Sequence, residues 1–196
     1  LEGHGVHTVV DATRDLLVNV LQYHPFLIKP NNHELGEIVG RELHTDEEIA
    51  AAARTLQEKG ARNVLVSMAG DGALLLDEQG QTHRIGCPKG KVVNSVGAGD
   101  SMVAGFVAGY LQSRSYAQAL RLGTACGSAT AFSLGLATKE KIDELLAVHP
   151  EITAAQRSDI FKSAFFMTKE EHTELVEALI EKLEAQTPAA EKLPIV

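Results

Sequence analysis

The 196-residue chain has a formal net charge of −8, is 44% hydrophobic and 22% charged, and contains no Trp. That balance suits a globular protein and argues against a broad nucleic-acid-binding face or docking to an anionic membrane. No apolar run approaches the ~20 residues of a membrane span, and no basic-then-apolar leader opens the chain, so a cytoplasmic protein is expected.

The first residues, LEGHGVHTVVDATRD, carry no Met and drop straight into a strand-like run, which reads as a piece of a longer protein. Residues 5–12 alternate and are rich in valine, predicting a strand; 14–22 have helical spacing; 26–30 form a short apolar strand stopped by Pro30. A short helix closed by Gly40 follows. Thr45 and Glu48 then make a capping-box pattern opening a helix that Gly60 stops. Composition predicts a buried strand at 63–68, a hairpin over 73–85 turning at Glu78-Gln79-Gly80, and a further strand at 91–93. Helices are expected at 98–112, 116–133 and 138–147. The segment 150–196 differs in texture: Thr168 and Glu171 form another capping pattern, 172–185 is amphipathic, and the end is Pro/Ala-rich. The domain division is therefore 1–149 and a helical extension at 150–196.

Strand–helix alternation with a helical close predicts an α/β sandwich around a mostly parallel sheet, with ligands held off the carboxyl ends of the strands. Three stretches fall there. Gly97-Ala98-Gly99-Asp100 opens a buried helix, where amide N–H groups have no partners within the helix and the dipole end is positive. Bare residues let an anion approach those amides, and a carboxylate beside them suits a general base acting on a hydroxyl that attacks a phosphoryl group. The same residues would also serve a plain helix cap. Lys29, Asn31 and Glu34 cluster at a strand-to-helix turn: lysine neutralises phosphate, and an Asn/Glu pair suits a hydrated magnesium ion, although Asn31 could simply cap the helix. Ser67, Gly70 and Gly72 lie in a second glycine-rich loop that would admit a nucleotide, or merely enter a hairpin. Cys87 and Cys126 have no metal-binding spacing and read as reduced thiols. The eight histidines are dispersed, with His33 solvent-facing, and Lys89 and Lys91 read as exposed loop charge.

NSVGAGDSMVAGF, at 94–106, resembles the C-terminal signature of the PfkB/ribokinase family of sugar kinases. With VVDATRD and FLIKPNNHEL it looks most like the family's 1-phosphofructokinase branch and next like the tagatose-6-phosphate kinase branch. The likeness runs from about Gly5 to Leu146. It implies a ribokinase-like three-layer α/β/α sandwich whose N-terminal portion, with sugar-binding strands and lid, is missing here. It also implies ATP and Mg2+, with a phosphosugar as acceptor. In its terms Asp100 is the base, and Gly97, Ala98 and Gly99 line the anion hole. Lys29, Asn31, Ser67, Gly70, Gly72 and Thr124 meet the nucleotide, and Asn31 with Glu34 manages the metal. Homodimerisation, through a lid, belongs to the complete protein. Ala69 and Asn94 depart from the pattern, standing where the family often has Gly and Asp.

Overall fold

Side chains alternate along the strands, and this sorts the two faces of the sheet. The computed structural model describes residues 6–147. Its sheet has the order β1 (Val9–Val10), β2 (Leu27–Ile28), β3 (Asn63–Ser67), β4 (Ala73–Leu76), β5 (Thr82–Ile85). The β1–β2 and β2–β3 pairs are parallel, while β3–β4 and β4–β5 are antiparallel. The sheet is therefore mixed, its parallel half carrying the β1 and β2 tips.

Ile28, Val64, Val66, Leu74 and Leu76 point to one face. There they pack on Leu17 of α1 (Arg14–Val20), Leu35 of α2 (Asn32–Val39) and Ile49, Ala52, Ala53 and Leu56 of α3 (Asp46–Glu58). Leu27, Leu65, Ala73 and Leu75 point to the other. They meet Met102 and Phe106 of α4 (Ala98–Ser113) and Tyr116, Ala119 and Leu120 of α5 (Tyr116–Ala131). Three layers result, as period-two strands require when both faces are covered. A further cluster joins α5 to α6 (Lys139–Ala147) through Leu122, Ala125, Ala129, Ile142, Leu145 and Leu146.

Local chemistry explains the helix ends. Thr45 Oγ1 accepts from the Glu48 N–H at 3.2 Å while Glu48 Oε2 accepts from the Thr45 N–H at 3.1 Å, the capping box expected at α3. Gly40 closes α2 in a left-handed conformation, φ 72°. The hairpin turn is pinned by Asp77, whose Oδ1 accepts from the N–H groups of both Gln79 and Gln81 at 2.9 Å.

Two expectations need correction. The first strand is far shorter than 5–12, with only Val9 and Val10 paired to β2 among the described residues. No strand forms at 91–93: Val92 and Val93 are exposed, and the N–H groups of Val93 and Asn94 both donate to the Ala131 carbonyl at the end of α5. A valine pair promotes a strand only where a neighbouring edge is free to pair with it. The amphipathic 172–185 stretch and the Thr168–Glu171 pattern lie outside the described residues.

Helices α4 and α5 meet almost without side chains. A Cβ on Gly105 would stand 3.0 Å from the Gly123 Cα, one on Gly109 2.9 Å from the Ala119 Cα, one on Gly123 2.7 Å from the Met102 carbonyl oxygen, and one on Gly127 3.0 Å from the Ala98 oxygen. In an isolated helix Ala is favoured over Gly by ~0.8–1 kcal/mol, but overpacking against backbone costs ~1–3 kcal/mol. Gly123→Ala should therefore lose up to about 2 kcal/mol in urea denaturation. Gly135→Ala, with nothing within 4 Å, should stay within ~0.5 kcal/mol of wild type.

Candidate active site

The tips of β1 and β2 and the start of α4 converge. Gly97 precedes α4 at φ 79°, a left-handed position that glycine occupies without strain, and no side chain caps the helix. The Ala98 N–H is used in a turn to the Ser95 carbonyl at 3.2 Å, and the helix ladder begins with the Ser101 N–H donating to Gly97 at 2.9 Å. Asp100 is exposed in the first turn and does not cap it. Behind it a buried chain steadies the turn: Thr130 Oγ1 donates to Ser101 Oγ at 2.9 Å and accepts from the Ala137 N–H at 3.2 Å.

Lys29 extends from the end of β2 over this turn. Its side chain is buried, yet its Nζ lies 3.2 Å from the point a Cβ of Gly99 would occupy. Any side chain at 99 would press on the ammonium, so the bareness of the stretch admits a cation as well as an anion. Asp11, just past β1, meets that ammonium at 3.3 Å. Burial pushes the Asp11 carboxyl above its ordinary value; Lys29 pulls it back, and the nearby negative charges of Asp100 and Glu34 push it up further. Lys29 thus pairs with a carboxylate that itself feels two others.

Asn31 and Glu34 form the reciprocal cap of α2. Asn31 Oδ1 accepts from the Glu34 N–H at 2.8 Å, and Glu34 Oε2 accepts from the Asn31 N–H at 2.9 Å. Capping occupies part of each side chain's acceptor capacity and fixes its direction, leaving further lone pairs for other partners. Ser67, at the end of β3, bridges to Asn31, and its N–H donates to the Pro30 carbonyl at 3.2 Å. The loop after it is tight. Ala69 holds a left-handed φ of 46°, a conformation glycine would take more readily, and Gly72 at φ 95° abuts the backbone of Ile85 and Cys87. Gly70 faces open space. Asn94 shows why an amide serves at the start of the signature: its Oδ1 accepts from the Val96 N–H at 3.1 Å while its Nδ2 donates to the Leu134 carbonyl at 3.1 Å. A carboxylate could do only the first. Thr124 stands apart within α5, its buried Oγ1 without a hydrogen-bond partner.

Lys29, Gly99, Asp100, Asn31, Glu34 and Ser67 therefore share one end of the parallel strands. Asp11 was not singled out from the sequence as a site residue. The signal available was its place three residues before the start of α1, directly after a valine-rich run. Among the described residues no three His, Cys, Asp or Glu side chains form a closed metal cage, and no helix is long and apolar enough to cross a membrane.

Comparison with known proteins bears on this arrangement. Residues 4–143 match the family described as pfkB family carbohydrate kinase. The chain is 48% identical over 144 residues to 1-phosphofructokinase of Bacillus subtilis, covering 74% of this chain and 46% of that protein. It is 43% identical over 137 residues to D-tagatose-1-phosphate kinase of Bacillus licheniformis, covering 69% and 45%. Among solved structures, phosphofructokinase-2 from Escherichia coli in complex with substrates and products superposes with a TM-score of 0.67 at 31% identity, over 74% of this chain and 48% of that one. Ribokinase of Arabidopsis thaliana, with ribose and ATP, shares the fold at a TM-score of 0.64 and 24% identity, over 72% and 48%. The chain spans about half the length of the curated relatives it matches.

The raised Asp11 carboxyl makes a pH prediction. An acid held above its ordinary value binds its proton more tightly folded than unfolded. Its stability contribution is full below the unfolded value and is lost as pH rises through the folded one. Compared with Asp11→Asn, which cannot titrate, the wild-type chain should lose stability as pH climbs from about 3 to 7, read by urea denaturation at a series of pH values. The opposite slope would mean that pairing with Lys29 outweighs burial.

Proposed function

Because the chain belongs to the pfkB family of carbohydrate kinases, we propose that residues 1–149 are the nucleotide-binding and catalytic part of an ATP-dependent phosphosugar kinase. The favoured reaction is phosphorylation of fructose 1-phosphate to fructose 1,6-bisphosphate; tagatose 6-phosphate or another sugar of the family is the alternative acceptor. One observation carries this reading: a buried lysine ammonium lies on the bare first turn of α4, beside an exposed carboxylate.

In this mechanism Asp100 takes the proton of the acceptor hydroxyl as its oxygen bonds to the γ-phosphorus, and the bond to the bridging oxygen of ADP breaks. The amides at the Gly97–Gly99 turn and the helix dipole meet the charge that develops on the transferring group. Lys29 neutralises a phosphate beside them. Ser67, Gly70 and Gly72 line the nucleotide's approach, and Thr124 belongs to the helix bordering its base. The oxygen donors of Asn31 and Glu34 fit magnesium, which uses one or two carboxylates together with phosphate oxygens and water instead of an all-protein cage. When bound there, the metal neutralises nucleotide phosphates. This reading makes the protein cytoplasmic, with homodimer contacts supplied by the lid of the complete enzyme and 150–196 as a helical extension.

The half-length coverage of the relatives favours a second reading for the chain on its own, a nucleotide-binding part without turnover. Assaying ATP binding and fructose 1-phosphate-dependent ADP release separates them. The assay is run on the chain alone and on the chain joined at its N-terminus to the remaining half of the Bacillus subtilis relative. Binding without release by the chain, with release by the joined protein, fits both statements. In the joined protein Asp100→Asn should lower kcat by about 10²–10⁴-fold while ATP affinity changes little. Normal turnover would remove Asp100 as the base.

A further inference from the structure

Among the described residues, Asp11 has no part in capping the helix that follows it. The N-cap of α1 is Thr13, and the first residue of that helix, Arg14, pairs instead with Glu37 at 3.0 Å. Asp11 is exposed as a residue, but its carboxyl is half-buried and lies under the fields of two other carboxylates, Asp100 and Glu34. Its ion-pair partner is the Lys29 Nζ at 3.3 Å, and its Oδ2 stands 4.0 Å from the same Gly99 point that the ammonium approaches to 3.2 Å. Carboxylate, ammonium and bare peptide are thus stacked in one place. A lysine carries a long, flexible stem whose ordering costs up to ~2 kcal/mol. An ion pair formed beforehand meets that cost before any ligand arrives.

We propose that Asp11 is a positioning residue: it holds the Lys29 ammonium on the first turn of α4, so that a phosphoryl group arriving at those amides meets a cation already in place. This rests on the kinase reading above. It carries a distinctive consequence. A carboxylate near a phosphate site repels the nucleotide's own charge, so removing Asp11 relieves repulsion in the ground state while loosening the cation needed as charge develops. Turnover and affinity then move apart, which a loss of packing alone would not produce.

The test is a double-mutant cycle in the joined protein, with Asp11→Asn, Asp11→Glu, Lys29→Met and the Asp11→Asn/Lys29→Met pair. Asp11→Asn should lower kcat about tenfold, the size of a single close coupling, with KM for ATP unchanged or reduced. Asp11→Glu should recover most of the loss. The double variant should match Lys29→Met within about twofold, because Asp11 acts through a group that is then gone. Wild-type kcat in Asp11→Asn, or a double variant falling by the full product of the two singles, overturns the inference while leaving the kinase reading intact. A readout independent of turnover covers the case in which the wild-type protein phosphorylates no sugar and the kinase reading itself fails. The side-chain ammonium resonance of Lys29 in a 15N spectrum should be visible in the wild-type chain and in Asp11→Glu, and broadened away in Asp11→Asn. Its persistence in Asp11→Asn likewise overturns the inference.

Discussion

The contact between α4 and α5 fixes where the bare turn of the site lies, and it is made largely by the absence of side chains. Gly105 and Gly109 on one helix, Gly123 and Gly127 on the other, bring the two backbones closer than any Cβ would allow. Each glycine costs ~0.5–1 kcal/mol in helix propensity, so four represent a sizeable sacrifice that burial of Met102, Phe106, Leu120 and Leu122 must offset. The return is positional. A Cβ on Gly127 would crowd the carbonyl of Ala98, the first residue of α4, so the register of the helix pair decides where the bare turn faces. The Thr130–Ser101 hydrogen bond then locks that turn to the end of α5.

Around this fixed point the charges are arranged with restraint. The chain is strongly acidic overall, yet the end of the sheet where β2 meets α4 is arranged around a buried cation, Lys29. Anion recognition of this kind needs no basic surface: amides, a helix dipole and a single ammonium act at short range, where bulk charge is screened. The Asn31–Glu34 pair shows the same economy. Its backbone hydrogen bonds cap α2 and, in doing so, fix the direction in which the remaining oxygen lone pairs point. In the proposed enzyme one pair of side chains serves both the fold and the metal.

Much of this was legible in the residues. The capping boxes at Asn31 and Thr45, the hairpin and the helices from 98 onward announce themselves through side-chain chemistry that acts over three or four residues. The unbroken apolar run of β3 marks a buried strand, and both faces of β3 and β4 are indeed packed. What was not legible depends on partners distant in sequence. Val92 and Val93 have strand-forming side chains, but the carbonyl at the end of α5 claims the N–H groups of Val93 and Asn94. Asp11 looks like a loop residue until β1 and β2 pair in parallel and set it opposite Lys29. The i, i+4 glycines of α4 and α5 could have been read as a close helix contact, since the spacing alone puts each pair on one face.

In the proposed enzyme, phosphate is held at the first turn of α4. Titrating magnesium-ATP onto the 15N-labelled protein and following the backbone amides tests it most directly. The largest saturable shifts should fall on Gly97, Gly99 and Asp100 and then on the Ser67–Gly72 loop, with the Asp77–Gln81 turn at the other end of the hairpin unmoved. Saturable binding that leaves the Gly97–Asp100 amides unchanged and shifts residues elsewhere would contradict it.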